Sequence, residues 1–239
     1  METITIQDET EVQGVNDRVQ LARLTKEVYR RKAEALMQEG VTIIDPDTVY
    51  IGEEVAVGRD TVIYPNTYLE GKTVIGNGCR LGPNTRITDS VIGNNNEITF
   101  SVIIQARVGD EVNVGPFAYL RPGTEIANGV KIGDFVEIKK SFIGEGSKVP
   151  HLSYIGDAVV GKGVNIGAGT ITCNYDGKNK WETVIEDGAF IGSNTNLVAP
   201  IKIGKNAVVG AGSTLTEDVP EKALAIARSR QVNKEDYVK

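Results

Sequence analysis

From Ile51 onward, aliphatic residues recur at every sixth position, a period that fits neither an amphipathic helix nor a strand with one buried face. Ile51, Val57, Ile63, Leu69, Ile75, Leu81 and Ile87 keep the spacing without error. The series resumes as Ile92, Ile98, Ile104, then Val108, Val114, Leu120, Ile126, Ile132, Ile138, then Ile143, Val149, Ile155, then Val160 and Ile166. It closes with Ile185, Ile191, Leu197, Ile203, Val209 and Leu215. Of the residues directly following these 27 anchors, 15 are Gly. A parallel β-helix explains both features, because each hexad supplies a short flat strand with one aliphatic pointing inward and the adjacent Gly tolerates the corner. Three hexads close one triangular coil. The anchors then predict about nine coils, a stack of roughly 43 Å at the inter-strand spacing of about 4.8 Å.

The breaks in register are informative. Shortened hexads begin at Ile87, Ile104, Ile138 and Ile155, so they fall on one corner of successive coils. The next is due at Thr172, where the chain instead inserts "CNYDGKNKW", residues 173–181, before Ile185 restores the repeat. Asp176-Gly177 reads as a turn, so the insertion should project as a polar loop suited to recognition. Ahead of the repeat, Leu21, Leu24, Val28 and Ala35 keep helical spacing, with Asn16 or Asp17 as N-cap and Gly40 just past the end. The expected organisation is a helical segment over 1–40, the β-helix over 41–219 and a C-terminal arm over 220–239. A solenoid needs covers at both ends, and the helix and the arm are the candidates.

Composition narrows the function classes. With 26 basic and 32 acidic residues the net charge is −6, and no basic block of the kind that tracks nucleic acid appears. Cys79 and Cys173 are in neither CxxC nor metal-ligand spacing, and no apolar run approaches a signal or membrane span. A cytoplasmic protein with reduced thiols, and without membrane or nucleic-acid partners, is expected.

Stacking converts sequence spacing into proximity. Arg121 and Lys139 occupy the position after Leu120 and Ile138 that elsewhere holds Gly, one coil apart. Two like charges so close suit an intervening anion such as a phosphate, and two independently solvated cations are the plainer alternative. Glu137 and Tyr154 should likewise be coil neighbours, with His151, the single histidine of the chain, three residues before Tyr154. A neutral imidazole is the side chain best matched to general-base work near neutral pH. One histidine per chain excludes the three-histidine zinc site of the γ-carbonic anhydrase type. Cys173 and Trp181 are read as packing residues. Spacing alone leaves His151 open to a catalytic or a structural reading, and a non-catalytic scaffold whose loops bind a partner stands beside an enzyme.

The stretches "LRPG" (120–123), "GDFVEIKK" (133–140), "PHLSY" (150–154), "GDAVVGKGVNIGAGTITCNYDG" (156–177) and "LVAPIKIG" (197–204) resemble the acetyltransferase half of the GlmU family. That family comprises bifunctional glucosamine-1-phosphate N-acetyltransferases and N-acetylglucosamine-1-phosphate uridyltransferases of bacterial cell-wall synthesis. The resemblance implies an all-β, left-handed β-helix assembled as a homotrimer with intersubunit active sites. It makes His151 the general base for attack of the 2-amino group of glucosamine 1-phosphate on acetyl-CoA, with Glu137 near the acceptor amine. It assigns Arg121, Lys139, Tyr154, Asn165 and Lys180 to the sugar phosphate. Acetyl-CoA contacts fall on Ala168, Asn174, Tyr175, Ser193, Ala211 and Arg228. The family's nucleotidyltransferase domain is missing, so uridyl transfer is not expected. Asn16 matches a residue of that domain's magnesium and uridyl-sugar site, and alone holds neither Mg2+ nor nucleotide.

Overall fold

The computed structural model describes residues 12–238, a three-sided parallel β-solenoid preceded by one helix. Thirty strands, each two to four residues long, stack into parallel sheets of eleven, ten and nine strands. The chain visits the eleven-, ten- and nine-stranded faces in that order on each coil. This makes about ten coils rather than nine, because Thr42–Ile43 and Leu224–Ala225 extend the eleven-stranded face at its two ends. The second of these pairs with Val208–Val209, so the sheet runs on past Pro220. Among the described residues no helix is long and apolar enough to cross a membrane.

Nearly every predicted anchor points inward. Ile63, Leu69, Leu81, Ile87, Ile98, Leu120, Ile138, Ile143, Val149 and Ile155 are all 0% exposed. They stack in register from coil to coil, as Leu120 on Ile138 and Ile138 on Ile155. Small hydroxylic residues fill the corners beside them. Ser141 shows why: its Oγ donates to the Lys139 carbonyl at 2.9 Å and accepts the Ala158 N–H of the next coil at 2.9 Å. Ser101 and Ser147 act alike, so the buried backbone left unpaired at a corner is satisfied by its neighbour.

Two expectations require correction. The inward residue of its coil is Ile103, 0% exposed and aligned with Ile87 and Leu120, whereas Ile104 is half-exposed. Both flanking hexads are five residues long, and the aliphatic doublet conceals which member faces in. The helix, Arg18–Gln38, is capped as expected, with Asp17 accepting the Gln20 N–H at 2.7 Å and Gly40 at φ +100° beyond its end. Its buried residues, however, are Ala33 and Leu36, while Leu21, Val28 and Ala35 lie exposed. Contact with the solenoid begins at mid-helix, where the Tyr29 ring meets Tyr50 edge-on at 5.5 Å and Lys26 pairs with Asp47 at 2.9 Å.

The insertion at 173–181 folds back on itself through an antiparallel bridge between Tyr175 and Lys180. Asp176 organises the turn. One carboxylate oxygen accepts the backbone N–H groups of Lys178 and Asn179 at 2.8 and 2.6 Å, and the other accepts the Trp181 indole N–H at 2.7 Å. The indole bond, then the two backbone bonds, hold the Asp176 carboxyl down at about 2.

Replacing Ile103 with Ala should destabilise the fold by about 2–5 kcal/mol, and Ile104 with Ala by under about 1 kcal/mol, as read from chemical-denaturation midpoints. The loop makes a pH prediction of definite sign. A depressed carboxyl stabilises above its ordinary value of about 4 and loses that contribution as pH falls toward 2. Trp181 is the one tryptophan of the chain, so its fluorescence should change over that acid range, and Asp176→Ala should abolish the transition.

Candidate functional site

The ten-stranded face has a chemically distinct group of residues along each of its two edges. On the edge shared with the eleven-stranded face stand Asp134 and His151. Strands Lys131–Asp134 and Lys148–His151 have four residues, where the others of that face have two, and the added pairing aligns Asp134 with His151. Gly133 permits it, since a Cβ there would lie 1.9 Å from the Pro150 carbonyl oxygen. Phe135 and Leu152, at φ 56° and 49°, then turn both coils onto the next face. The His151 Nδ1 lies 2.5 Å from Asp134 Oδ1, and the imidazole is 57% exposed. That hydrogen bond holds the Asp134 carboxyl below its ordinary range.

The same edge continues through Ala168, Ser193, Ala211 and Arg228. The Gly169 N–H donates to the His151 carbonyl at 3.4 Å, that of Asn194 to Ala168 at 2.7 Å, and that of Gly212 to Ser193 at 2.8 Å. A Cβ on Gly212 would stand 3.8 Å from Arg228 Cδ. Four of the six residues expected to touch the acyl donor therefore form one ladder with His151. The other two, Asn174 and Tyr175, lie across the face at the base of the inserted loop.

The opposite edge, toward the nine-stranded face, gathers the cations. Pairing of Leu120 with Ile138 sets Arg121 beside Lys139, as their spacing predicts, and Glu137 aligns with Tyr154. The two cations do not stand as a bare like-charge pair. Arg121 Nη1 donates to Glu137 Oε1 at 2.7 Å, and Lys139 Nζ to Asp157 Oδ2 at 3.0 Å. The Glu137 bond raises the Arg121 pKa. Lys180, delivered by the loop, stands against Lys139, whose ammonium lowers its pKa; no carboxylate is bonded to Lys180 among the described residues. The Tyr154 hydroxyl lies over Gly156 at the same edge, where a Cβ would meet it at 2.3 Å.

Two carboxylates of this arrangement escaped the sequence analysis. Asp157, only 10% exposed, accepts from Lys139 and from the Asn174 side-chain amide, tying the cation cluster to the loop. Burial opposes its ionisation, and hydrogen bonds from Lys139 and Asn174 outweigh that opposition, so its carboxyl lies below the usual range. Asp134 was legible by the rule that paired Glu137 with Tyr154, since it too precedes its partner by one coil of 17 residues.

Other candidates are dispersed. Asn165 is on the eleven-stranded face, aligned with Lys148 rather than with the cations. Asn16 is exposed ahead of the helix, its backbone N–H donating to Gln20 Oε1 at 2.8 Å. Cys173 is half-buried and burial raises its pKa, the opposite of an activated thiol. Among the described residues no hydrogen bond or ion pair joins His151 to the cation cluster.

The family described as bacterial transferase hexapeptide (six repeats) matches residues 54–89, 105–140 and 182–217. The Arabidopsis UDP-N-acetylglucosamine acyltransferase has a similar fold, with a TM-score of 0.54 at 20% identity over 79% of this chain and 66% of its own. The chain is 97% identical over its whole length to the bifunctional protein GlmU of Carboxydothermus hydrogenoformans, of which it covers 54%. Over 98% of its length it is 62% identical to the GlmU of Heliobacterium modesticaldum, of which it covers 51%. It thus spans about half the length of these relatives. An identity of 97% over all 239 residues leaves one assignment, and the chain belongs to the GlmU family.

Proposed function

We propose that this chain transfers an acetyl group from acetyl-CoA to the 2-amino group of glucosamine 1-phosphate. The observation that supports it best is the pairing of an exposed imidazole on one edge of the ten-stranded face with three clustered cations on the other. Membership of the GlmU family supports the choice of glucosamine 1-phosphate among phosphorylated amino sugars, and with it a cytoplasmic setting.

Amine acetylation requires that the attacking nitrogen lose a proton and that the thioester oxygen bear transient negative charge. His151 is the base. Its Nε2 takes the proton as the amine adds to the carbonyl carbon, and the imidazolium returns it to the departing thiolate. A backbone N–H near Ala168, the next rung of the ladder, stabilises the oxyanion. Arg121, Lys139 and Lys180 hold the phosphate, with Tyr154 on the sugar and Glu137 near the amine; Asn165, on the neighbouring face, keeps its sugar role only through the family resemblance. Glu137 and Asp157 neutralise two of the cations before substrate arrives. The remaining charge is on Lys180, whose protonation a bound phosphate would favour.

The donor contacts argue for more than one copy. Ala168, Ser193, Ala211 and Arg228 follow one edge of the face while Asn174 and Tyr175 occupy the other, so a neighbouring subunit's loop completes the donor site along the ladder. The family resemblance makes that assembly a homotrimer. Phe100, Phe117 and Phe135 strengthen it: bulky residues at φ 46°, 60° and 56°, they are 38–57% exposed and their rings stand in file, 5.6 and 5.3 Å apart. Left-handed backbone at exposed phenylalanines is costly on two counts, and burial against another copy removes one of them.

Free thiol should appear from acetyl-CoA only when glucosamine 1-phosphate is present. His151→Ala should lower turnover by about a hundredfold or more with the fold intact. Arg121→Ala and Lys139→Ala should chiefly raise the half-saturating acceptor concentration; an unchanged acceptor dependence would remove the phosphate role. Calorimetry showing no acetyl-CoA binding would favour a scaffold instead. Phe117→Asp should convert a trimer to monomers by light scattering and abolish turnover.

A further inference from the structure

We propose that Asp134 is a positioning residue that selects the base-competent tautomer of His151, a role that rests on the acetyl-transfer reading above. An ionised carboxylate can only accept a hydrogen bond, so the 2.5 Å contact requires the proton of a neutral imidazole to reside on Nδ1. The lone pair then sits on Nε2, which has no hydrogen-bond partner among the described residues and belongs to a ring 57% exposed. A free histidine side chain prefers the opposite tautomer, with its proton on Nε2, which leaves Nδ1 and not Nε2 as the basic nitrogen. Asp134 inverts that preference. The low pKa of the Asp134 carboxyl agrees, keeping the acceptor ionised wherever the imidazole is neutral.

The backbone makes the pair rigid. Pro150 approaches Gly133 too closely for any side chain, and the Leu152 N–H donates to the Asp134 carbonyl at 3.0 Å, so the pair is fixed on both sides. No other pair of strands on the eleven-stranded face extends its ladder this far. An exposed ring on a solenoid edge would otherwise sample several rotamers. The carboxylate limits it to one and also stabilises the imidazolium formed as the amine is deprotonated.

His151 is the single histidine, so a chain carrying 15N-labelled histidine displays one imidazole. At a pH where the ring is neutral, the wild type should show a protonated Nδ1 and an unprotonated Nε2. Asp134→Ala should move the proton largely to Nε2 and lower kcat by about ten- to a hundredfold, leaving the half-saturating acceptor concentration within about twofold. Asp134→Asn, nearly isosteric but uncharged, should also lose turnover, and Asp134→Glu should recover part of it. A ring spectrum unchanged by Asp134→Ala, or full turnover in a folded Asp134→Ala, overturns the proposal. The two readings fail separately. The spectrum needs no substrate, so a wild type inert toward acetyl-CoA removes the reaction, whereas an unresponsive ring removes the positioning.

Discussion

Backbone hydrogen bonding from each coil to the next is the constraint from which the rest follows. The Tyr119 N–H donates to the Val136 carbonyl and the Arg121 N–H to that of Ile138, so Leu120 stacks on Ile138, and no strand closes a sheet with its own coil. Side chains 16 to 18 places apart are thereby aligned rung over rung at about 4.8 Å, whatever their chemistry. The core is one consequence, a column of isoleucines and leucines. The site is another, because an edge of such a prism is a ladder on which each side chain has one neighbour above and one below.

That lattice explains which parts were legible in sequence. Inward anchors are aliphatic at fixed intervals, so the faces, the corner of the shortened hexads and the place of the loop could be read directly. Ile103 and Ile104 could not be separated, since two adjacent isoleucines satisfy the same pattern and only the corner geometry selects one. The helix misled for a different reason: helical spacing identifies a face but not what covers it, and here the solenoid end buries only Ala33 and Leu36 of the helix. Coil arithmetic correctly set Arg121 beside Lys139. It said nothing of the direction in which their long side chains reach, so the pairings with Glu137 and Asp157 became visible only with coordinates.

The electrostatics of the cation edge follow from those pairings. Three cations crowded without counter-charges would repel one another and push apart the loop that delivers Lys180. Asp157 prevents this from an almost buried position, bonding at once to Lys139 and to Asn174 at the loop base. A phosphate bound as proposed would therefore meet a cluster already arranged, from which it would need only to draw partly neutralised charge. Preformed geometry of this kind reduces the ordering that binding would otherwise require.

For His151 to serve as the proposed base, a solitary histidine suits such a ladder. A second imidazole on an adjacent rung would compete for the proton or, with a third from other subunits, invite a metal ion. The rung below His151 is Asp134, the one kind of side chain that accepts from Nδ1 and remains charged. Above is Ala168, whose methyl group leaves that flank of the imidazole open along the ladder of Ser193 and Ala211. Carboxylate on one side and space on the other give the ring a direction.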